Sequence, residues 1–232
     1  MTAPPIRAVG IGVPARDEET TIEACLAAIA VAAGAVSVPV VVAVVADGCT
    51  DATAARAAAA LGPGGTVVAT SHRGVGRARS LALDTALAGT GVPAEEVWLA
   101  TTDADTTVSP TWLATQLRWA GRGHDAVAGL VSIDWSGSDP ELPGRYVASL
   151  APDGTGMGHG HVHGANLGLR ASWWQAVGGC GPAGCGEDRE LWDRLAGAGA
   201  RTIGVDDLAV TTSGRLSSRV EGGFATYLAA LA

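Results

Sequence analysis

Four times in the first half of the chain a short apolar run is followed by an alanine-rich helical stretch, and that order leaves few folds open. Ile6 to Pro14 reads as the first strand, and Thr20 with Glu23 has capping-box spacing ahead of an apolar-periodic helix running to about Ala33. Val38 to Ala46 is apolar throughout, as a strand covered on both faces must be. Asp47-Gly48 turns the chain, and Asp51 or Thr50 can cap a helix that ends before Gly62. Thr66 to Thr70 is a third strand, and a glycine-containing loop from Arg73 leads into a helix from about Arg77 to Ala88. Val97 to Thr101 is the fourth, after which Ser109-Pro110 has the cap-then-proline order that starts a helix. Repeated strand–helix units require a parallel sheet with helices on both faces. The expected fold class is therefore α/β, with residues 1–125 forming a nucleotide-binding type of unit.

Beyond Asp125 the pattern loosens. A strand is expected near Ala126 to Ile133, then loops carrying His159, His161 and His163, a helix near Ser172 to Val177, and a last clear helix from Glu187. No repeat or low-complexity linker divides the chain, so residues 1–232 read as one domain whose two halves, 1–125 and 126–232, share a core. The stretch from Cys25 to Ala46 is apolar enough to suggest a membrane span, but Gly34, Ser37 and Pro39 interrupt it. No membrane span is expected.

Charge narrows the partners. The 15 basic residues, all arginine, stand against 23 acidic ones for a net charge of -8, which repels nucleic-acid backbones rather than collecting them. Four cysteines and the lack of an opening secretion signal point to a reducing cytoplasm, with room for peripheral membrane contact. Cys180 and Cys185 read as free thiols in a glycine-rich loop.

In open α/β sheets ligands gather at the carboxyl ends of the strands. Asp17 and Glu18 follow the first strand, Asp47 the second, the segment from Arg73 to Arg79 the third, and Asp103 and Asp105 the fourth. Each acid alone would also serve as a helix cap. Together they line one crevice. Two carboxylates in an Asp-x-Asp turn repel unless a cation joins them, and their hard oxygens suit Mg²⁺ or Mn²⁺ shared with a diphosphate. The run Asp103-Ala-Asp105-Thr-Thr107 also resembles the signature of haloacid-dehalogenase-like phosphatases, in which Asp103 would be the nucleophile. Those enzymes place the motif on an early strand and normally need a downstream lysine, and this chain contains none.

Read in order, "VGIGVPARDEE", "VVVAVVADGCTD", "RGVGRARSLAL", "WLATTDADTTV", "HGANLGLRASWWQAVGG" and "GEDRELWDRL" resemble glycosyltransferase family 2, from about Val9 to Arg194. The resemblance implies a GT-A fold, with a Rossmann-like, mostly parallel central sheet, helices on both faces and a looser acceptor-side half. It implies an inverting transferase that takes a nucleotide-diphosphate sugar, UDP-sugar favoured, with Mn²⁺ or Mg²⁺ on the diphosphate. The acceptor is a hydroxyl on a small molecule, a glycan or a lipid-linked compound. Pro14, Ala15 and Glu18 match positions lining the nucleoside, and Asp47 matches the aspartate that accepts a hydrogen bond from the base. Arg73, Gly76 and Arg79 match the segment near the nucleotide, where arginine can neutralise phosphate. Asp103 and Asp105 match the metal pair, Asp105 the more direct ligand. Glu187 and Asp188 match the acidic pair whose aspartate is the general base; independently, a helix start favours the ionised form a base needs.

Family members often complete the metal site with a later histidine, yet no histidine follows His163 here. The segment "VTTSGRLSSR" occupies that region, so Arg215 or Arg219 could hold the diphosphate directly. His163 and Asn166, from "HGAN", are expected to line the donor or acceptor pocket, and the three histidines read as an acceptor-side loop rather than a zinc site. A non-catalytic sugar-nucleotide-binding domain would be expected to lack Asp188 or the Asp pair, and both are present. A sugar nucleotidyltransferase would want a basic loop after the first strand, where "PARDEE" is acidic. The apolar tail "GGFATYLAALA" is suited to packing on the core or on a second subunit of a homo-oligomer.

Overall fold

The computed structural model describes residues 4–71, 74–136, 139–149, 161–181, 186–216 and 224–232. The first half keeps the expected alternation. β1 (Ala8–Ala15) leads to α1 (Ile22–Gly34), β2 (Val40–Asp47) to α2 (Thr53–Leu61), and β3 (Thr66–Thr70) to α3 (Val75–Thr90). β4 (Val97–Thr101) leads through a short β5 (Thr106–Val108) to α4 (Trp112–Gly121). The second half adds β6 (Ala126–Asp134), α5 (Leu142–Ser149), β7 (Leu167–Arg170), α6 (Ala171–Val177), α7 (Glu187–Gly197), β8 (Thr202–Ser213) and α8 (Phe224–Leu231).

One eight-stranded sheet runs through both halves in the order β3-β2-β1-β4-β7-β6-β8-β5. The strands β3, β2, β1 and β4 are parallel. β7 then turns antiparallel to both β4 and β6, while β8 runs parallel to β6 and antiparallel to β5. Every residue of β1 and of β4 is buried, which explains their unbroken apolar composition: helices cover both faces. On one face Ile22, Ile29, Ala57, Trp112 and Leu113, from α1, α2 and α4, pack on Val9, Ile11, Val13 and Val44. On the other Leu83, Trp174, Leu191 and Leu195, from α3, α6 and α7, pack on Val97, Leu99, Leu167 and Leu169. Burying a side chain of this size stabilises by about 1.5–3 kcal/mol, so these two layers fix the strand ends that carry polar groups.

Several boundaries differ from the sequence reading. β1 starts at Ala8, two residues after Ile6, and β2 at Val40. The capping box is not made: α1 starts after Thr21, whose hydroxyl donates to the Glu18 carboxylate at 2.9 Å and accepts no amide from the helix. Asp51 does accept the first-turn amide of Thr53 at 2.9 Å, whereas the Thr50 amide donates to Asp17. α3 begins at Val75 rather than Arg77, and α4 begins at Trp112, two residues past Pro110. The sequence reading missed β8 altogether, because Asp206-Asp207 in its middle looks like a turn. In the structure the strand absorbs them with a register shift against Gly129 and Leu130 of β6. α8 is a further helix beyond α7; it packs on α5 and buries Leu228. No helix among the described residues is long and apolar enough to cross a membrane.

Candidate active site

A pocket of about 740 Å³ opens where β1, β2 and β4 end, and residues from the second half close its other side. Pro14, Ala15 and Glu18 reach it from β1, Asp47 from β2, and Asp103 and Asp105 from the turn after β4. His163 and Gly164, Glu187 and Asp188 from α7, and Thr212 and Arg215 from the end of β8 complete it. Sharing a wall is not the same as presenting a polar group to it, so each side chain is placed by its partners.

Asp47 is 3% exposed and already receives the Thr70 hydroxyl at 2.8 Å and the Gly74 amide at 3.0 Å. Gly74 has φ of +87°, which glycine alone adopts without strain, and so turns its N–H toward the carboxylate. Gly76 sits behind it, buried on the first turn of α3 rather than on the pocket wall. Arg73 lies outside the described residues, as do His159, Cys185 and Arg219.

Arg79 is the buried centre of the site. Its Nε donates to Glu187 Oε1 at 3.3 Å, and Nη1 donates to Thr101 Oγ1 at 2.9 Å and to the Gly164 carbonyl at 3.0 Å. Nη2 donates to Asp103 Oδ1 at 2.9 Å and to Glu187 Oε1 at 3.2 Å. These bonds use all five N–H groups of a guanidinium. The sequence reading turned Arg79 toward a phosphate; the structure instead makes it the brace between the β4 turn and α7. Gly164 permits this, since any Cβ there would collide with the guanidinium. Burial pushes the Glu187 carboxyl up from its ordinary value, with Arg79 pulling against it.

The second cluster lies at the other end of the Asp pair. Arg215 grips Glu18 with both Nη atoms at 2.8 Å, and Nη1 reaches Asp105 Oδ2 at 3.1 Å. Asp105 also takes the hydroxyls of Thr212 at 3.3 Å and Thr106 at 3.4 Å on Oδ1. Its carboxyl is pushed up to about 6, chiefly by burial, while Arg215 pulls it down. Thr212 and the aromatic pocket residues Tyr146 and Phe224, 6.1 Å apart edge-to-face, were not legible in the sequence, because β8, α5 and α8 were not expected.

Asp188 stands half-buried on the first turn of α7 with Oδ2 accepting the Gly164 amide at 2.7 Å and Oδ1 the Arg189 amide at 2.7 Å. The His163 ring lines the pocket and stacks on His161 with centroids 6.0 Å apart. Asn166 does not line it. Fully buried, it accepts the Trp112 indole N–H at 2.9 Å and donates to the Leu130 and Leu208 carbonyls at 2.9 and 3.0 Å, tying α4 to β6 and β8. That correction was beyond reach from the sequence, since its partners lie 36 to 54 positions away.

The donor set suits a hard divalent cation. Asp103 keeps Oδ2 without a protein partner among the described residues, and Asp105 offers Oδ2 wherever Arg215 yields it. Asp17, Cys49 and Asp51 also bring ligand atoms within 4.8 Å of one another, at the ends of β1 and β2. There the carboxylates hold the Thr50, Thr53 and Glu19 amides, and the thiol donates to the Ala15 carbonyl at 3.5 Å. The group serves as loop structure next to the pocket.

A sequence model of the family described as Glycosyl transferase family 2 matches residues 11–170, more than half of the chain. No curated protein matches the chain by sequence. Among solved structures, residues 1–349 of S. aureus TarS in complex with UDP-GlcNAc superpose with a TM-score of 0.66 at 15% identity, over 94% of this chain and 62% of that one. The mannosyltransferase PcManGT from Pyrobaculum calidifontis, in complex with GDP-Man and Mn²⁺, gives 0.64 at 20% identity, over 93% and 59%. Glucosyl-3-phosphoglycerate synthase from Mycobacterium tuberculosis, in complex with Mg²⁺ and UDP, gives 0.58 at 19%, over 97% and 78%. The chain spans about three fifths of the length of the first two. At these identities the likeness is one of fold.

Proposed function

Because the chain belongs to glycosyl transferase family 2, we propose that it transfers a sugar from a nucleotide-diphosphate donor to an acceptor hydroxyl with inversion at the anomeric carbon. Family membership, on a GT-A type of α/β fold, displaces the phosphatase alternative for Asp103. The observation that carries the reading is the convergence of Asp47, Asp103, Asp105 and Asp188 on one pocket, although they come from two strand ends and a helix start.

In this reading the nucleoside lies along Pro14, Ala15 and Glu18. Asp47, held in place by Thr70 and Gly74, would accept the N3–H of uracil, as the family resemblance implies for a UDP-sugar. Asp103 and Asp105 would hold Mg²⁺ or Mn²⁺, which when bound supplies positive charge to the leaving diphosphate. Asp188 takes the acceptor proton as its oxygen attacks; the two amides fix which lone pairs face the pocket. Arg79 keeps Asp103 and the α7 start at a fixed separation. His163, Tyr146 and Phe224 form the acceptor side. No covalent sugar–enzyme intermediate is needed, since inversion proceeds in one displacement. Whether the acceptor is a small molecule, a glycan or a lipid-linked compound, and whether two chains associate through α8, follow from assays of the purified protein.

Thermal unfolding with UDP, GDP and TDP, each with and without Mn²⁺, tests the donor site. A nucleotide that binds only the folded chain raises the midpoint by mass action. The expected result is a metal-dependent rise selective for UDP that disappears in Asp105→Ala. No rise with any nucleotide sinks the reading.

A further inference from the structure

The Arg215 cluster has a property that the proposed transfer does not require. Its guanidinium sits on the face of Asp105 that a cation needs, with Nη1 3.1 Å from Oδ2. It holds Glu18 bidentately, and Thr212, which shares the end of β8 with it, holds the other Asp105 oxygen. Yet the arrangement is incomplete. Arg215 Nε is buried and has no hydrogen-bond partner among the described residues, and that costs the full desolvation of an N–H group. Arg215 stands on the pocket wall together with Asp105, so a doubly charged oxyanion entering there meets a guanidinium that gains a partner for its buried Nε–H only by turning away from the carboxylates.

We propose that Arg215 and the divalent cation compete for Asp105, and that a nucleoside diphosphate decides the competition by drawing the guanidinium onto its phosphate oxygens. The inference rests on the donor reading above and adds to it a specific coupling. The cation alone must evict a paired cation from a buried carboxylate, against Coulomb repulsion that a water-poor site screens weakly. The diphosphate gives Arg215 a new partner and frees Asp105 Oδ2. Metal and nucleotide therefore bind together much more readily than either alone, and linkage makes the effect reciprocal.

The test is a titration of Mn²⁺ alone into the wild type, Arg215→Gln and Arg215→Lys, with the free ion followed by its electron paramagnetic resonance signal. UDP binding is then measured at saturating Mn²⁺. Losing one charge-assisted hydrogen bond is worth about tenfold in affinity. Arg215→Gln should accordingly bind Mn²⁺ alone about tenfold more tightly and UDP about tenfold more weakly. Arg215→Lys keeps the charge without the fork, so it should move both affinities in the same two directions by a smaller factor, and it carries the test if the glutamine variant does not fold. Opposite signs for the two ligands are the signature, because a general lesion weakens both. Unchanged Mn²⁺ affinity, or a loss of both, overturns the competition while leaving the donor reading in place wherever UDP still binds. If no protein of the three binds UDP with Mn²⁺, the donor reading itself has failed and the coupling goes with it.

Discussion

Arg79 and Arg215 bind the same kind of partners in the same pocket, and they differ in how completely they are used. Arg79 is 2% exposed and spends all five N–H groups on Asp103, Glu187, Thr101 and Gly164. Arg215 has a side chain 25% exposed, spends three contacts on Glu18 and Asp105, and leaves Nε idle among the described residues. A buried polar network with every member satisfied is stiff, because each rearrangement strands a charge; one with a member unsatisfied has less to lose. The first arginine is a fixed brace and the second an exchangeable counter-charge.

The comparison is most exposed to a stability measurement. Arg79→Met should strand two carboxylates beneath the pocket and cost about 3–5 kcal/mol in urea unfolding, whereas Arg215→Gln, at a guanidinium that is itself 25% exposed and already leaves Nε unsatisfied among the described residues, should cost less, about 1–3 kcal/mol. Equal losses would mean that the two clusters do the same structural job. The proposed base role of Asp188 extends the contrast, since this residue lies on the first turn of the helix that Arg79 ties down. Asp188→Asn should lower sugar transfer by about 10²–10⁴-fold and leave the UDP-induced rise in unfolding temperature intact. A variant that lost nucleotide binding as well would assign Asp188 to the brace instead of to the acceptor proton. A subtler strain comes from Gly164→Ala, whose methyl group would press on the Arg79 guanidinium. Overpacking of that kind costs about 1–3 kcal/mol, and the double variant with Arg79→Met should lose less than the sum.

The same contrast explains what could be read from the sequence. β1, β2 and β4 were legible because parallel strands covered on both faces must be unbroken apolar runs, and the acids at their ends stood out against that background. Asp47, Asp103 and Asp105 reach the pocket for that reason. Arg79 was legible as a site residue and not as a brace, since its carboxylate partners lie 24 and 108 positions away. Asn166 looked like a pocket residue and is a core tie, a distinction made only by Trp112, Leu130 and Leu208 folding around it. Arg215 could be named as a candidate cation, but its place on Asp105 depends on β8, whose alternation is broken by Asp206-Asp207 and a register shift. Antiparallel and irregular elements carry polar residues on their open face, so their periodicity fades where the second half of the site is built.

The last predicted effect concerns pH. Asp105 is pushed up to about 6 from its ordinary 3.8, with burial outweighing the pull of Arg215. A carboxyl whose folded value is raised binds its proton more tightly in the folded chain. Its contribution to stability is therefore fully present below about 4 and is lost as pH rises through about 6. Asp105→Asn, a close isostere of the protonated form, should match the wild type near pH 4 and exceed it in unfolding free energy by about 1–3 kcal/mol at pH 7.5 without metal. Unfolding curves of the two proteins at a series of pH values check this, because titrations elsewhere cancel in their difference. A constant difference would mean that Arg215 neutralises Asp105 as completely as Arg79 neutralises its own partners, and the contrast between the two arginines would then disappear. A difference that opens between pH 4 and 6 would show a carboxylate held at a cost, which is the condition under which a cation brought in with the diphosphate can displace a guanidinium already in contact.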